Sequence, residues 1–180
     1  MHYSFNWYKE LYSLDDIAYI NKRIQALPID KFSSDDPSSD SVKSCHVKVI
    51  RKSMLPSLLD DFFIFVRQSN RNFYGFDLFD SYAGETVNYN SYFSGQEYSW
   101  HTDGQTDMAQ DIKLTAILNL SENYEGGDLE LFLNGPKVIE EFRTPGSAII
   151  FPSFIPHRVT PVTKGCRITL SYWCQGPNWK

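Results

Sequence analysis

Residues 144–173 read TPGSAIIFPSFIPHRVTPVTKGCRITLSYW. Ala148–Phe151, Arg158–Val162 and Arg167–Cys174 are runs of strand length, too short for amphipathic helices, and Pro145-Gly146 and Lys164-Gly165 supply turns around them. In the last run Arg167, Thr169, Ser171 and Trp173 alternate with Ile168, Leu170 and Tyr172. One strand face is therefore polar and aromatic and the other apolar, the pattern of a strand that divides a packed core from a site.

The same punctuation extends upstream. Strands are predicted at Cys45–Arg51, Val87–Phe93, Tyr98–Thr102, Ile112–Leu120, Leu129–Leu133 and Val138–Phe142, with Gly126-Gly127 and Asn134-Gly135 as turns. Short strands at near-regular spacing from Val87 onward point to a sandwich or barrel, and a double-stranded β-helix, or jelly roll, fits best. The first third reads as helical cover. Ser13 and Asp16 form a helix start, and Ile17, Ile20, Ile24 and Leu27 recur at helical spacing until Pro28. A second helix is predicted from near Ser53, carrying Leu55, Leu58, Leu59, Phe62, Phe63 and Val66 and fading at Asn70. The expectation is a mainly β fold with flanking helices, the N-terminal helices packed on one sheet. It is one domain over residues 1–180, with helical cover over about 1–80 and a jelly-roll core over about 85–177. The Ser33–Ser44 and Gly104–Asp111 segments are polar enough to act as lids.

Aromatic residues make up 16% of the chain, which suits pleated surfaces. The net charge of -5, with no dense Lys/Arg run, counts against a nucleic-acid partner. Cys45, Cys166 and Cys174 fit neither a disulfide framework nor a zinc finger, so reduced thiols are expected. The start of the sequence lacks a signal-peptide pattern and no apolar run approaches a membrane span, so a cytoplasmic location and no membrane partner are expected.

The chemistry lies in four residues. His101 and Asp103 are two apart, so both can face one side of a strand; His157 follows 54 residues after Asp103, and Arg167 ten residues after that. Two imidazoles and a carboxylate on one face of a metal leave the opposite face open, the ligand set of non-haem Fe(II) oxygenases, although the ligand types also accept zinc. Arg167 offers a planar fork for a carboxylate on a bound co-substrate, with the Thr169 hydroxyl on the same side.

The stretch from Tyr92 to Asp103, YFSGQEYSWHTD, resembles the Y-x-x-G-Q-x-Y-x-x-H-x-D segment of prolyl 4-hydroxylase-type Fe(II)/2-oxoglutarate dioxygenases. YEGGDLEL at 124–131 and the 144–173 segment resemble the bacterial and phage branch with the PKHD-type hydroxylase domain, so the likeness covers roughly residues 85–177. The resemblance implies that His101, Asp103 and His157 hold Fe(II), that Arg167 and Thr169 bind the far carboxylate of 2-oxoglutarate, and that Tyr92 lies near that co-substrate. Asn119 stands where some relatives place a tyrosine that touches 2-oxoglutarate. The implied reaction is hydroxylation of a C–H bond with O2, with ascorbate as an auxiliary reductant. The implied target is a peptidyl proline or another peptide side chain, with Trp100, Trp173, Tyr82 and Phe154 as candidate walls for it. A small molecule or nucleobase target, and a metal-binding jelly roll without catalysis, are the alternatives.

Overall fold

The computed structural model describes residues 4–28, 42–79, 85–104 and 110–179. Strand β1 (Asn6–Tyr8) is followed by helix α1 (Leu14–Gln25), strand β2 (His46–Arg51) and helix α2 (Asp60–Ser69). Strands β3 (Thr86–Phe93), β4 (Tyr98–His101), β5 (Gln110–Asn119), β6 (Tyr124–Gly126), β7 (Leu129–Phe132), β8 (Pro136–Val138), β9 (Ala148–Pro152), β10 (His157–Val159) and β11 (Val162–Pro177) complete the described elements. They form two antiparallel sheets. The larger runs β1-β9-β5-β11-β3-β2, with β6 paired to the start of β11, and the smaller runs β4-β10-β7-β8. This is the expected double-stranded β-helix.

Alternation along the strands of the larger sheet separates two cores. Leu114, Ala116 and Leu118 of β5, Ile150 of β9, and Leu170 and Tyr172 of β11 pack with Ile17, Ile20 and Ile24 of α1 and Phe62, Phe63 and Val66 of α2. The helices thus cover one face of that sheet. On the other face Ile117, Ile149 and Phe151 meet Leu129 and Leu131 of the smaller sheet. The polar set of β11 belongs to this inner side. No helix among the described residues is long and apolar enough to cross a membrane. Cys45, Cys166 and Cys174 are all free thiols.

Helix α1 begins as its sequence requires. The Ser13 hydroxyl accepts the Asp16 N–H at 3.2 Å and the Asp16 carboxylate accepts the Ser13 N–H at 3.0 Å, satisfying both donors reciprocally. The second helix starts later than predicted. Pro56 has no N–H and holds Leu55 in extended geometry, so Lys52–Met54 and Ser57–Leu59 are separate 3-10 turns before α2. At the other end, Asn70–Tyr74 forms a π-helical turn closed by Gly75 at a φ of 68°.

Three strand expectations need correction. Val138–Phe142 is not one strand: β8 ends at Val138 and Glu140–Arg143 is a 3-10 turn, because Ile139 and Phe142, three apart, both point into the core. The Arg158–Val162 strand is cut to β10, ending at Val159. Lys164-Gly165 is not a turn but part of the single strand β11, paired with Glu125 and Tyr124; the ladder shifts just before it, between Val162 and Lys164, and Gly165, at a φ of 77°, lies too close to the Asn123 carbonyl for any Cβ. Strand β1, within the segment read as helical cover, was not foreseen; it adds to the edge of the larger sheet along β9.

Helix α2 has no side-chain cap of its own at Leu59. Instead, the buried Tyr12 hydroxyl accepts the Phe62 N–H at 3.0 Å and donates to the Leu58 carbonyl at 2.9 Å. Tyr12→Phe leaves that donor and that carbonyl unmatched and is expected to cost about 1–3 kcal/mol of stability. Chemical denaturation checks this, and an unchanged midpoint would remove Tyr12 from the role.

Candidate metal centre

Antiparallel pairing of β4 with β10 sets His157 directly opposite His101. Asp103 lies beyond the end of β4 and is held by the backbone. Its N–H donates to the Ser153 carbonyl at 3.0 Å, while the Ser153 N–H and hydroxyl donate to the carbonyls of Lys113 and Ile112 on β5. The Thr115 hydroxyl then donates to Asp103 Oδ2 at 2.7 Å. Nε2 of His101 is 3.6 Å from Asp103 Oδ1, and Nε2 of His157 is 3.4 Å from Asp103 Oδ2. One ligand atom from each residue falls within 4.8 Å of the others.

The imidazoles are set up as ligands by their own chain. Nδ1 of His101 lies 2.8 Å from the Ser99 carbonyl, and Nδ1 of His157 lies 3.0 Å from the Ile155 carbonyl. A carbonyl only accepts, so each Nδ1 carries a proton and each Nε2 is the ring atom turned toward the metal position. Tyr98 stacks on His101 with ring centroids 3.5 Å apart and 13° between planes, which fixes the ring further. Burial, then the neighbouring His157, lowers His101 to about 4, so its imidazole stays neutral in weak acid. Burial alone would raise Asp103. Hydrogen bonding and charge from His157 more than reverse that, with help from Trp173 and Thr115, and bring it down to about 2. The buried Trp173 indole N–H contributes by proximity, since it makes no formal hydrogen bond among the described residues.

Arg167 shares this cavity between the two sheets. It is 1% exposed, yet its Nε and Nη2 have no hydrogen-bond partner among the described residues. Tyr92 faces it across the β3–β11 ladder, with the guanidinium carbon 5.3 Å from the ring centre. Gly127, at a φ of 60°, makes room for it: a Cβ there would stand 2.9 Å from Arg167 Cδ and from Val162 Cγ2. Thr169 and Ser171 line the same wall as Arg167. Asn90 donates to the Ser171 hydroxyl at 3.1 Å and accepts from Lys43 Nζ at 3.1 Å.

The structure brings His101, Asp103, His157, Arg167, Thr169 and Tyr92 to one cavity. It does not bring Asn119 there. The Asn119 amide donates to the Phe142, Arg143 and Thr144 carbonyls and accepts from the Ser121 N–H and hydroxyl, so the side chain clasps the Glu140–Arg143 turn. That corrects its expected place at the co-substrate. Of the candidate aromatic walls, Trp173 lines the cavity, whereas Trp100 packs edge-on against Phe132 under Arg158. Phe154 lies outside the cavity, in a groove beside Asp103. Tyr82, residues 33–41 and residues 105–109 lie outside the described residues. Sequence reading missed Thr115, Asn90, Lys43 and Gly127. Inward alternation on β5 could have flagged Thr115, but nothing local marks Lys43 or the two carbonyls that orient the histidines.

The donor set fits a divalent first-row metal: two imidazoles and one carboxylate, with the ring orientations already fixed. The unmatched guanidinium fits a carboxylate ligand beside it.

Residues 87–175 match the family model described as 2OG-Fe(II) oxygenase superfamily. A PKHD-type hydroxylase of Picosynechococcus sp. is 38% identical over 93 residues, covering 50% of this chain and 42% of that protein. One from Xylella fastidiosa is 35% identical over 100 residues, covering 48% of this chain and 43% of that protein. The matched stretch spans less than half the length of these curated relatives. Among solved structures, a Pseudomonas putida prolyl-4-hydroxylase superposes with a TM-score of 0.72 at 18% identity, over 97% of this chain and 94% of that one. A prolyl hydroxylase from Trichoplax adhaerens, in complex with a peptide fragment of the hypoxia inducible factor oxygen degradation domain, gives 0.71 at 17% identity, over 95% and 83%.

Removing the carboxylate and removing its support separate two roles. Thr115→Val is expected to weaken Mn(II) binding by roughly 10–100-fold, the range for a group that orients a ligand, and Asp103→Ala by more. Calorimetric titration with Mn(II) checks both, and an Asp103→Ala variant that binds as tightly as the parent would remove Asp103 from the metal.

Proposed function

Because this chain belongs to the 2OG-Fe(II) oxygenase superfamily, we propose that it is an Fe(II)- and 2-oxoglutarate-dependent dioxygenase that hydroxylates a peptidyl prolyl C–H bond. The observation that carries the reading is Arg167. A fully buried guanidinium with unmatched donors, in the same cavity as two imidazoles and a carboxylate, calls for an anionic co-substrate at the metal. His101, Asp103 and His157 would hold the iron. Arg167 would receive the far carboxylate of 2-oxoglutarate, with the Thr169 hydroxyl beside it and Tyr92 closing the wall. When bound, iron and 2-oxoglutarate supply oxidation of the C–H bond by O2 coupled to loss of CO2 and formation of succinate.

The chain's own contribution is placement. The Ser99 and Ile155 carbonyls hold each ring by its Nδ1 and turn each Nε2 to the metal position, and Thr115 and the Ser153 carbonyl stop Asp103 from turning away. Ile117, Leu129 and Val159 line the cavity with apolar surface that limits water around the reacting atoms. The peptide target is supported by the prolyl hydroxylases of like fold, one of them solved with a peptide. A small-molecule target keeps every one of these roles and changes only what stimulates turnover. Ascorbate would serve to keep the iron ferrous.

With ascorbate present, the chain is expected to convert 2-oxoglutarate slowly to succinate without any other substrate, and a proline-containing peptide to accelerate this. A metal-binding jelly roll without catalysis shows neither. Arg167→Lys is expected to raise the KM for 2-oxoglutarate at least about tenfold, since an ammonium replaces a planar fork with a point charge. An unchanged KM would contradict its assignment.

A further inference from the structure

A second concavity lies beside the metal cavity and shares no lining residue with it. Thr102 and Gly104, the neighbours of Asp103, form one side of it, with Ser153, Phe154 and Trp179 completing the lining of a groove of about 420 Å³. Phe154 is 57% exposed and Trp179 41% exposed, with ring centroids 6.0 Å apart at 70°. Exposed aromatic rings usually move. This indole, two residues past β11, is pinned from three directions. Its backbone N–H donates to Asp111 Oδ2 at 2.6 Å, Lys113 Nζ lies 3.5 Å from its ring centre, and Phe76 packs edge-on at 5.3 Å. Asp111 and Lys113 are themselves buried on β5. A ring held this firmly and left exposed at its remaining surface is organised for contact.

We propose that the Phe154–Trp179 groove is a specificity subsite that receives an uncharged apolar side chain of a peptide substrate, next to the residue presented at the metal. This rests on the oxygenase reading above. Continuity argues for the substrate as occupant. The groove is built on the residues flanking Asp103 and on Ser153, whose carbonyl holds the Asp103 N–H, so it borders the metal ligand itself. Chemistry argues for an apolar side chain. Two aromatic rings meet at a corner, and none of the lining side chains among the described residues is charged. The Thr102 and Ser153 hydroxyls leave polar atoms for a peptide backbone.

The test uses the full chain loaded with Zn(II) and 2-oxoglutarate, so that nothing turns over. The probes are acetylated, amidated peptides of three Ala-Pro-Leu repeats and of three Ala-Pro-Glu repeats. The Leu peptide is expected to shift the Trp179 indole resonance, assigned by its loss in Trp179→Ala. That substitution is expected to weaken Leu-peptide binding about fivefold or more and leave 2-oxoglutarate affinity unchanged. Phe154→Ala, on an exposed ring where folding is not at stake, is expected to do the same. The Glu peptide should bind more weakly, and equally to parent and variants. Equal Leu-peptide affinity in parent and variants, no binding to the parent, or preference for the Glu peptide would overturn the subsite. If the metal-loaded parent fails to bind 2-oxoglutarate, the oxygenase reading falls. If it binds 2-oxoglutarate and the peptide ignores Trp179, only the subsite falls.

Discussion

Taking a guanidinium out of water costs several kcal/mol unless a partner of opposite charge replaces the solvent. Arg167 is buried on β11 opposite Tyr92, with Gly127 leaving room for its stem, and the described residues supply no partner for two of its nitrogens. Much of the architecture follows from that demand. The long central strand β11 must present apolar residues to the helices and polar ones to the cavity. The second sheet must close over the polar face while leaving space for an acid. The helices α1 and α2 supply compensating burial on the far side of the same strand.

The metal ligands solve a related problem. Asp103 sits beyond the end of its strand, where a carboxylate would ordinarily turn to solvent. Its position is tied through Ser153 to β5 and through its own oxygen to Thr115. Both histidines use carbonyls two residues back in their own segments, so the ring orientation that a metal needs is set before any metal arrives.

Much of this was legible in the sequence because period and spacing carry it. The alternation from Arg167 to Trp173 revealed the two faces of β11, and the Ser13-to-Asp16 spacing gave the start of α1. The 101–103–157–167 order gave the cavity. What stayed hidden depends on contacts between distant segments. Asn119 looked free to reach a ligand, but the turn after β8 takes its NH2 group and Ser121 takes its oxygen. Val138–Phe142 reads as a strand by composition, and only burial of Ile139 with Phe142 makes it a turn. Gly165 reads as a turn, whereas it pairs with Tyr124 inside a continuous strand, close against Asn123. The Phe154–Trp179 corner joins residues from separate strands' ends, a proximity that no local pattern announces.

The central claim is that one cavity holds a metal and a dicarboxylate together. Its most direct test is anaerobic titration of the metal-free protein with Fe(II) and then 2-oxoglutarate, followed by visible absorption, with His101→Ala as the control. The account predicts a weak charge-transfer band that needs both additions and is absent in the variant. Folded protein that binds the metal but gives no such band, or a band that survives in His101→Ala, would contradict it.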